Sequence, residues 1–355
     1  LFLSVRDTID KFYRKEGFDL KALVTGGTGF VGKHLVRKLK EQGDTVRCLV
    51  RKTSNTAPLE QMGAEFAEGD ITHYESVLEA ARGMDIIYHN AALVGMGPSR
   101  TEFYLINVEG TRNVLKACDI AKVGRLVHTS TQSVTFDFTP KFNADESTPY
   151  PPRYKDYYSE TKALAEREVL DAAKKGRASA VAVRPTWVWG PGDTTIMPIM
   201  AKLARRHQLF LIGGGRAEAS TSYVENVCDC LILAGRHTGI SGEAFFVTDD
   251  ERITAREFIT KMADAAGFPR PGMSIPYSVA YASAAVAEKL HSLIGSKKEP
   301  LMTRYGIALT GRNLTFSTEK AKQMLGYRPA VNIDEGMRRL SEWVKQVGGI
   351  EQLMA

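Results

Sequence analysis

Cysteine is scarce and shows no pairing pattern. The 355-residue chain has four, at Cys48, Cys118, Cys228 and Cys230. They have no disulfide-framework spacing, and Cys228-x-Cys230 lacks the second pair or nearby histidines of a zinc site. A disulfide scaffold is excluded, no metal is expected, and a reduced cytoplasmic chain is the expectation. No single-sign charge tract occurs either. Net charge is +6, but the basic residues are scattered, which argues against nucleic acid and a polybasic membrane anchor. Apolar runs long enough to cross a bilayer are missing, so no transmembrane span is expected. Internal repeats and low-complexity segments are missing as well.

What is present is ordinary for a globular protein: 43% hydrophobic and 25% charged residues. The length suits a main domain with a smaller partner. Residues 1–20 form an N-terminal extension that opens on Leu rather than Met, which leaves room for residues upstream. Val5, Ile9 and Phe12 recur there at helical spacing, as in an amphipathic helix docked on the body or a disordered arm; membrane targeting is the alternative.

Short apolar runs alternate with helical periodicity. "KALVTGG" (21–27), "DTVRCLV" (44–50), "GAEFAEGD" (63–70), "MDIIYHNAA" (84–92), "GRLVHTS" (124–130) and "ASAVAVRP" (178–185) read as strands. Helical stretches follow at 29–42 and 102–120. The strands are too continuously apolar to face water. This predicts an α/β fold, a Rossmann-type doubly wound parallel sheet over 21–190. Past Pro185 breakers accumulate, and helices near 222–236, 254–266 and 333–347 are separated by irregular pieces. Residues 191–355 are expected to form mainly a smaller C-terminal substrate-binding region, with a strand and helix returning to the core. "VAYASAAVAEKLHSLIG" (279–295) reads as a packed helix; lining a greasy pocket or touching a membrane surface is the sharper alternative.

"TGGTGFVG" carries the first chemical signal. Gly26, Gly29 and Gly32 are three apart, after a strand and at a helix start. Such glycines permit a tight turn, close approach of backbone to a pyrophosphate, and close helix–strand packing, while the helix N-terminus offers free N–H groups. Thr28, Phe30 and Val31 fall within the same loop. An NAD-preferring site usually has Asp or Glu at the end of the second strand. Here Val50 is followed by Arg51 and Lys52, which would neutralise a 2′-phosphate. NADP is the expected cofactor, with NAD the alternative.

"RYKDYYSETKALAE" (153–166) holds Tyr154, Tyr157 and Tyr158 with Lys155 and Lys162. One tyrosine there is followed by a lysine four residues on, the spacing that shares a helix face: Tyr158 and Lys162. A free tyrosine near pKa 10 is a poor base at neutral pH. A neighbouring ammonium favours the phenolate. On spacing alone a surface pair is the commoner explanation; the glycine loop and "HTST" (128–131) upstream tip the balance toward chemistry.

In order, T-G-x-x-G-x-x-G at 25–32, "GDIT" at 69–72, "NAA" at 90–92, "NVEGTRNVLKAC" at 107–118, "HTST", Tyr158-x-x-x-Lys162 and "RPTWVWGPGD" at 184–193 resemble the extended short-chain dehydrogenase/reductase superfamily. The match spans roughly residues 21 to 345. The resemblance implies that Asp70 and Ile71 contact adenine and that Ala91 and Ala92 line the cofactor. It implies a supporting role for Asn107 and Ser130. It makes Thr131, Tyr158 and Lys162 catalytic, and places backbone at Pro185 and Val188 against the nicotinamide. Homodimers are common in the superfamily, so a homodimer is expected.

Departures select a branch. Gln132 and Ser133 follow Thr131 where sugar dehydratases have Asp-Glu. Ser220, Thr221 and Ser222 stand where nucleotide-sugar enzymes place an Arg for the diphosphate, although Arg216 is nearby. "YVENV" (223–227), the apolar helix, "EPLMTRYGIAL" (299–309) and "FSTEKAKQMLGYRP" (316–329) resemble the 3β-hydroxysteroid dehydrogenase/sterol-4-carboxylate dehydrogenase-like branch. That implies a hydrophobic ketone or secondary alcohol, sterol-like or a 2-alkyl-3-keto acid, a small-molecule substrate to which Trp187 and Trp189 would present an apolar wall unless they are core. The alternatives are a nucleotide-sugar 4-epimerase with bound NAD and a non-catalytic dinucleotide-binding scaffold. A cytoplasmic protein is expected, with peripheral membrane contact as the alternative.

Overall fold

A computed structural model describes residues 19–95, 98–294 and 303–354, so most of the N-terminal extension and part of "EPLMTRYGIAL" lie outside it. One sheet of seven parallel strands organises the chain: β1 (Lys21–Thr25), β2 (Thr45–Val50), β3 (Glu65–Glu68), β4 (Ile86–His89), β5 (Arg125–Thr129), β6 (Ala180–Pro185) and β7 (Ala244–Val247). Their order is β7-β6-β5-β4-β1-β2-β3. Strand order reverses between β1 and β4, which opens a crevice at their C-terminal ends, where doubly wound sheets bind ligands.

Both faces of the sheet are covered over its central strands, as their unbroken apolar runs require, while the edge strand β3 is largely exposed. Ala22 and Val24 of β1 pack against helix α1 (Phe30–Glu41) and its buried Leu35, Val36 and Leu39. Leu23 points the other way, into a core with Val77 of helix α2 (Tyr74–Ala81) and Val114 of helix α3 (Gly110–Ile120). Fully burying one such Val or Leu contributes about 1.5–3 kcal/mol. Helix α4 (Tyr157–Lys174) starts at Asp156, whose carboxylate accepts the Ser159 N–H at 2.7 Å.

The C-terminal region has its own core, with Met200, Phe258, Met262, Leu340 and Val344 buried. It is not contiguous in sequence. Helix α5 (Val224–Arg236) and β7 return to the main sheet. Conversely, strand Lys141–Ala144 leaves the loop after β5 and pairs with Leu314–Phe316. Trp189 is fully buried, donating from Nε1 to Asp249 at 2.9 Å, and Trp187 packs edge-on against Phe258. The core reading of these tryptophans therefore holds for Trp189. Helix Tyr277–Ile294 buries Ala280 and Ala284 and exposes Val279, Val286 and Leu290. Among the described residues no helix is long and apolar enough to cross a membrane, and no metal-ligating cluster forms.

Candidate active site

The glycine loop lies at the crevice, and each glycine has a separate reason to be there. Gly26 has φ +70°, and a Cβ on it would meet the Ala91 nitrogen at 2.7 Å. That position needs both the left-handed conformation and the missing side chain. A Cβ on Gly32 would lie 2.1 Å from the Gly26 oxygen. Gly29 caps α1 without a side-chain bond. The first-turn N–H groups of α1, around Phe30 and Val31, therefore face an uncluttered cradle beside Thr28. A pyrophosphate fits such a cradle, and a side chain at Gly26 would push the loop off the Ala91 backbone that borders it.

Around the cradle the sequence-predicted residues divide into backbone and side-chain groups. Ala91 N–H donates to Thr25 Oγ1, and Ala92 follows it in the same crevice-lining segment. Asp70 Oδ1 accepts from both the N–H and the hydroxyl of Thr72. The Ile71 side chain is buried under Gly110, while its carbonyl accepts from Asn113. Arg51 and Lys52 are exposed at the end of β2, and Lys52 reaches Glu68 at 3.4 Å. Pro185 closes β6, and Val188 sits in strand Trp187–Trp189 beside Ser222.

Tyr158 and Lys162 stand one turn apart on α4, as their spacing requires, and Thr131 approaches from the segment after β5. The Tyr158 phenol faces the Thr131 hydroxyl, whose own bonds are to Ser133, and Phe103 lies at its ring edge. Burial pushes the phenol pKa up to about 12, against the favourable Thr131 contact. Lys162 is 3% exposed. Its ammonium donates to the Thr129 carbonyl at 2.7 Å and lies 3.3 Å from His128 Nε2. Burial lowers its pKa to about 8, with Glu166 one turn on pulling the other way. Tyr157 is half exposed, and Tyr154 donates to the Val134 carbonyl, so neither competes for the role.

Asn107 fastens this helix to the cofactor side. It lies in a π-helical segment, Tyr104–Glu109, between the short helix Arg100–Phe103 and α3. Such a bulge in a helix is frequent at functional sites. Its amide accepts from the Leu93 N–H and donates to the Leu93 carbonyl and to Thr161, next to Lys162. Ser130 is buried beside Thr131 with its N–H on the Val183 carbonyl.

Three features of the site are invisible to motif spacing. Glu166 and Arg184 form a fully buried ion pair, with bonds of 2.6 and 2.9 Å, that also takes the Tyr150 hydroxyl. The guanidinium overcomes burial and holds the Glu166 carboxyl below its usual range. Tyr305, on the helix Arg304–Gly311, bonds Ser133 at 2.8 Å, and Ser133 in turn contacts Thr131. Tyr305 sits edge-on to Phe136 and Phe138, a wall of aromatic rings beside Thr131. Phe138 holds φ at +69°, a costly conformation for a bulky residue that functional sites retain. Finally, His128 opens "HTST" with no motif role of its own, yet it touches Lys162.

Ser220, Thr221 and Ser222 are buried and occupied. Ser220 Oγ accepts the Phe316 N–H, Thr221 donates to Asp249, and Ser222 donates to the Val247 carbonyl. Arg216 is exposed, lining a cavity of about 300 Å³ with Arg312.

Comparison with known proteins shows what the chain is similar to. Residues 23–277 match the model of the 3-beta hydroxysteroid dehydrogenase/isomerase family. The chain is 37% identical over 328 residues to the 2-alkyl-3-oxoalkanoate reductase of Stenotrophomonas maltophilia, covering 90% of this chain and 98% of that protein. It is 35% identical to the decarboxylating sterol-4-alpha-carboxylate 3-dehydrogenase of Mus musculus, covering 90% and 89%. Among solved structures, dTDP-glucose 4,6-dehydratase of Streptomyces venezuelae with NAD bound superposes at a TM-score of 0.72. That match covers 92% of this chain and 97% of the other, and at 24% identity it speaks to the fold alone.

Proposed function

The chain belongs to the 3-beta hydroxysteroid dehydrogenase/isomerase family, and from that premise we propose that it interconverts a ketone and a secondary alcohol on a large apolar substrate, with NADP as hydride carrier. The nicotinamide, when bound, supplies or accepts the hydride. Everything else falls to the chain's own groups. Thr131 holds the substrate oxygen. Tyr158 gives that oxygen a proton in the reductive direction and removes it in the oxidative one. Lys162 keeps a positive charge beside the phenol and lowers the cost of the phenolate. Asn107 and the Glu166–Arg184 pair hold the catalytic helix in place.

The observation that carries this reading is that Tyr158 and Lys162 stand one turn apart on α4, with Lys162 buried and bonded to the Thr129 carbonyl at the C-terminal end of β5. The aromatic wall of Phe136, Phe138 and Tyr305 supports an apolar substrate. The names of the relatives point to 2-alkyl-3-oxoalkanoates and sterol-4-alpha-carboxylates as the substrate classes. Arg51, which meets no carboxylate among the described residues, supports the phosphorylated cofactor. The buried Ser220–Ser222 segment disfavours a nucleotide-sugar reading, because no guanidinium stands there for a diphosphate. A homodimer is part of the reading, supported by the exposed apolar residues Leu105, Ile120 and Tyr157 on or beside α3 and α4.

The test is a cofactor-oxidation screen with NADPH and NADH against 2-alkyl-3-oxo acids, 3-ketosteroids and UDP-sugars. Consumption of NADPH with an apolar ketone is the expected result. Turnover of a UDP-sugar without added cofactor would replace this reading with the epimerase one.

A further inference from the structure

Two histidines stand behind the catalytic lysine, on neighbouring strands at paired positions: His89 on β4 and His128 on β5. Both are 1% exposed, and their rings are 5.3 Å apart. Their tautomers follow from their partners. Thr111 gives its hydroxyl proton to the Asn107 carbonyl at 2.6 Å, so it can only accept from His89 Nε2 at 3.0 Å. His89 Nδ1 then accepts from Thr25 at 2.8 Å, and Thr25 accepts from the Ala91 N–H. A single directed chain thus runs from the cofactor-lining segment to the π-helical turn. It locks the His89 ring, against which His128 rests.

His128 is placed differently. Its Nδ1 is buried without a partner, and its Nε2 faces the Lys162 ammonium at 3.3 Å. An ammonium only donates, so Nε2 must carry the lone pair and Nδ1 the proton. Burial and the adjacent ammonium drive the His128 pKa well down, and burial takes His89 to about 3, so both rings stay neutral. Lys162 has three N–H donors. Thr129 and His128 occupy two, which leaves one for a ligand hydroxyl.

We propose that His128 is a positioning residue for Lys162: its Nε2 lone pair, held by the adjacent, hydrogen-bonded His89, keeps the lysine charged and aimed. The proposal rests on the reading of Lys162 as the group that tunes Tyr158. The other charged and titratable groups facing the lysine are Tyr158 and Glu166 on its own helix, with Arg184 on β6 committed to Glu166. Of these the only neutral group that could accept is the Tyr158 hydroxyl, and among the described residues the Lys162 ammonium bonds His128 and the Thr129 carbonyl instead.

The test reads the lysine directly and needs no substrate. In protein labelled with ¹³Cε-lysine, the Lys162 resonance, assigned by its loss in Lys162→Arg, is titrated in the wild type and in H128Q, H128N and H128L. Glutamine can bring an amide oxygen to the Nε2 position; asparagine is too short, and leucine has no acceptor. Loss of a hydrogen bond to a charged group should lower the Lys162 midpoint by about one pH unit in H128N and H128L, with H128Q close to wild type. Where a ketone substrate is in hand, the alkaline limb of the rate should move the same way. A wild-type midpoint in H128N, or a drop in H128Q as large as in H128N, overturns the proposal. Should H128L not fold, the Gln–Asn contrast decides alone. Failure to find a ketone substrate would sink the proposed function and leave this titration unaffected.

Discussion

Lys162 sets a sharp expectation for pH dependence. Its pKa is lowered to about 8 by burial, and a lowered lysine pKa means that charge is lost sooner as pH rises. The value belongs to the cofactor-free protein, so the parameter to measure is kcat/KM for the reduced cofactor, which reports ionisations of the free enzyme. With a single pKa near 8, the charged fraction falls from about nine-tenths at pH 7 to about one-tenth at pH 9, and kcat/KM should fall about ten-fold over that range. Tyr158, at about 12, does not titrate in this window. Buried His89 and His128 also stay neutral there, so neither adds a limb. The assay is initial-rate NADPH oxidation with a saturating ketone across pH 6.5 to 9.5. In Lys162→Arg the charge cannot be lost, so the limb should vanish whatever the absolute rate. A wild-type profile flat to pH 9.5, or a limb that persists unchanged in Lys162→Arg, would refute the assignment of this lysine.

Three other outcomes follow from the same geometry. Tyr158→Phe should lower kcat by about two or more decades, while Tyr157→Phe, at an exposed ring, should stay within a few-fold; the reverse order in a rate assay would reassign the acid–base group. Arg51→Asp should shift the ratio of kcat/KM for NADPH over NADH toward NADH, and an unchanged ratio would remove Arg51 from cofactor selection. Glu166→Leu strands the buried Arg184 charge and should cost about 3–5 kcal/mol in denaturant unfolding. Adding Arg184→Met should recover most of that loss, and a double variant as unstable as the single would show that the pair is not the cause.

Much of the fold was legible because burial on both faces writes itself into sequence. Five of the first six strands were readable as apolar runs between breakers, the exposed edge strand Glu65–Glu68 being the exception, and the structure keeps all six to within a few residues. The seventh was not. Ala244–Val247 is four residues long and sits in the breaker-rich half, where so short a run cannot be told from a piece of buried helix. Lys141–Ala144 gave no signal either, because its strand character comes from a partner 172 residues away, as in the bond from the Asn143 N–H to Thr315.

The active site divides along the same physical line. Tyr158 and Lys162 were legible because one turn of helix fixes their relation, and Gly26 and Gly32 because a strand-to-helix turn does. His128, Glu166 with Arg184, and Tyr305 were not, because each gets its role from an approach between elements that local spacing does not encode. Glu166 and Arg184 lie 18 positions apart and meet only because α4 packs on β6. Tyr305 lies 172 positions from Ser133 and arrives on a helix of the C-terminal region. The groups proposed to do the chemistry are thus local in sequence, while those proposed to fix their ionisation and alignment come from packing. This predicts where variation should matter. Substitutions at Tyr158 or Lys162 should change whether catalysis occurs, and substitutions at His128, Glu166 or Tyr305 should change the pH and the substrates at which it does.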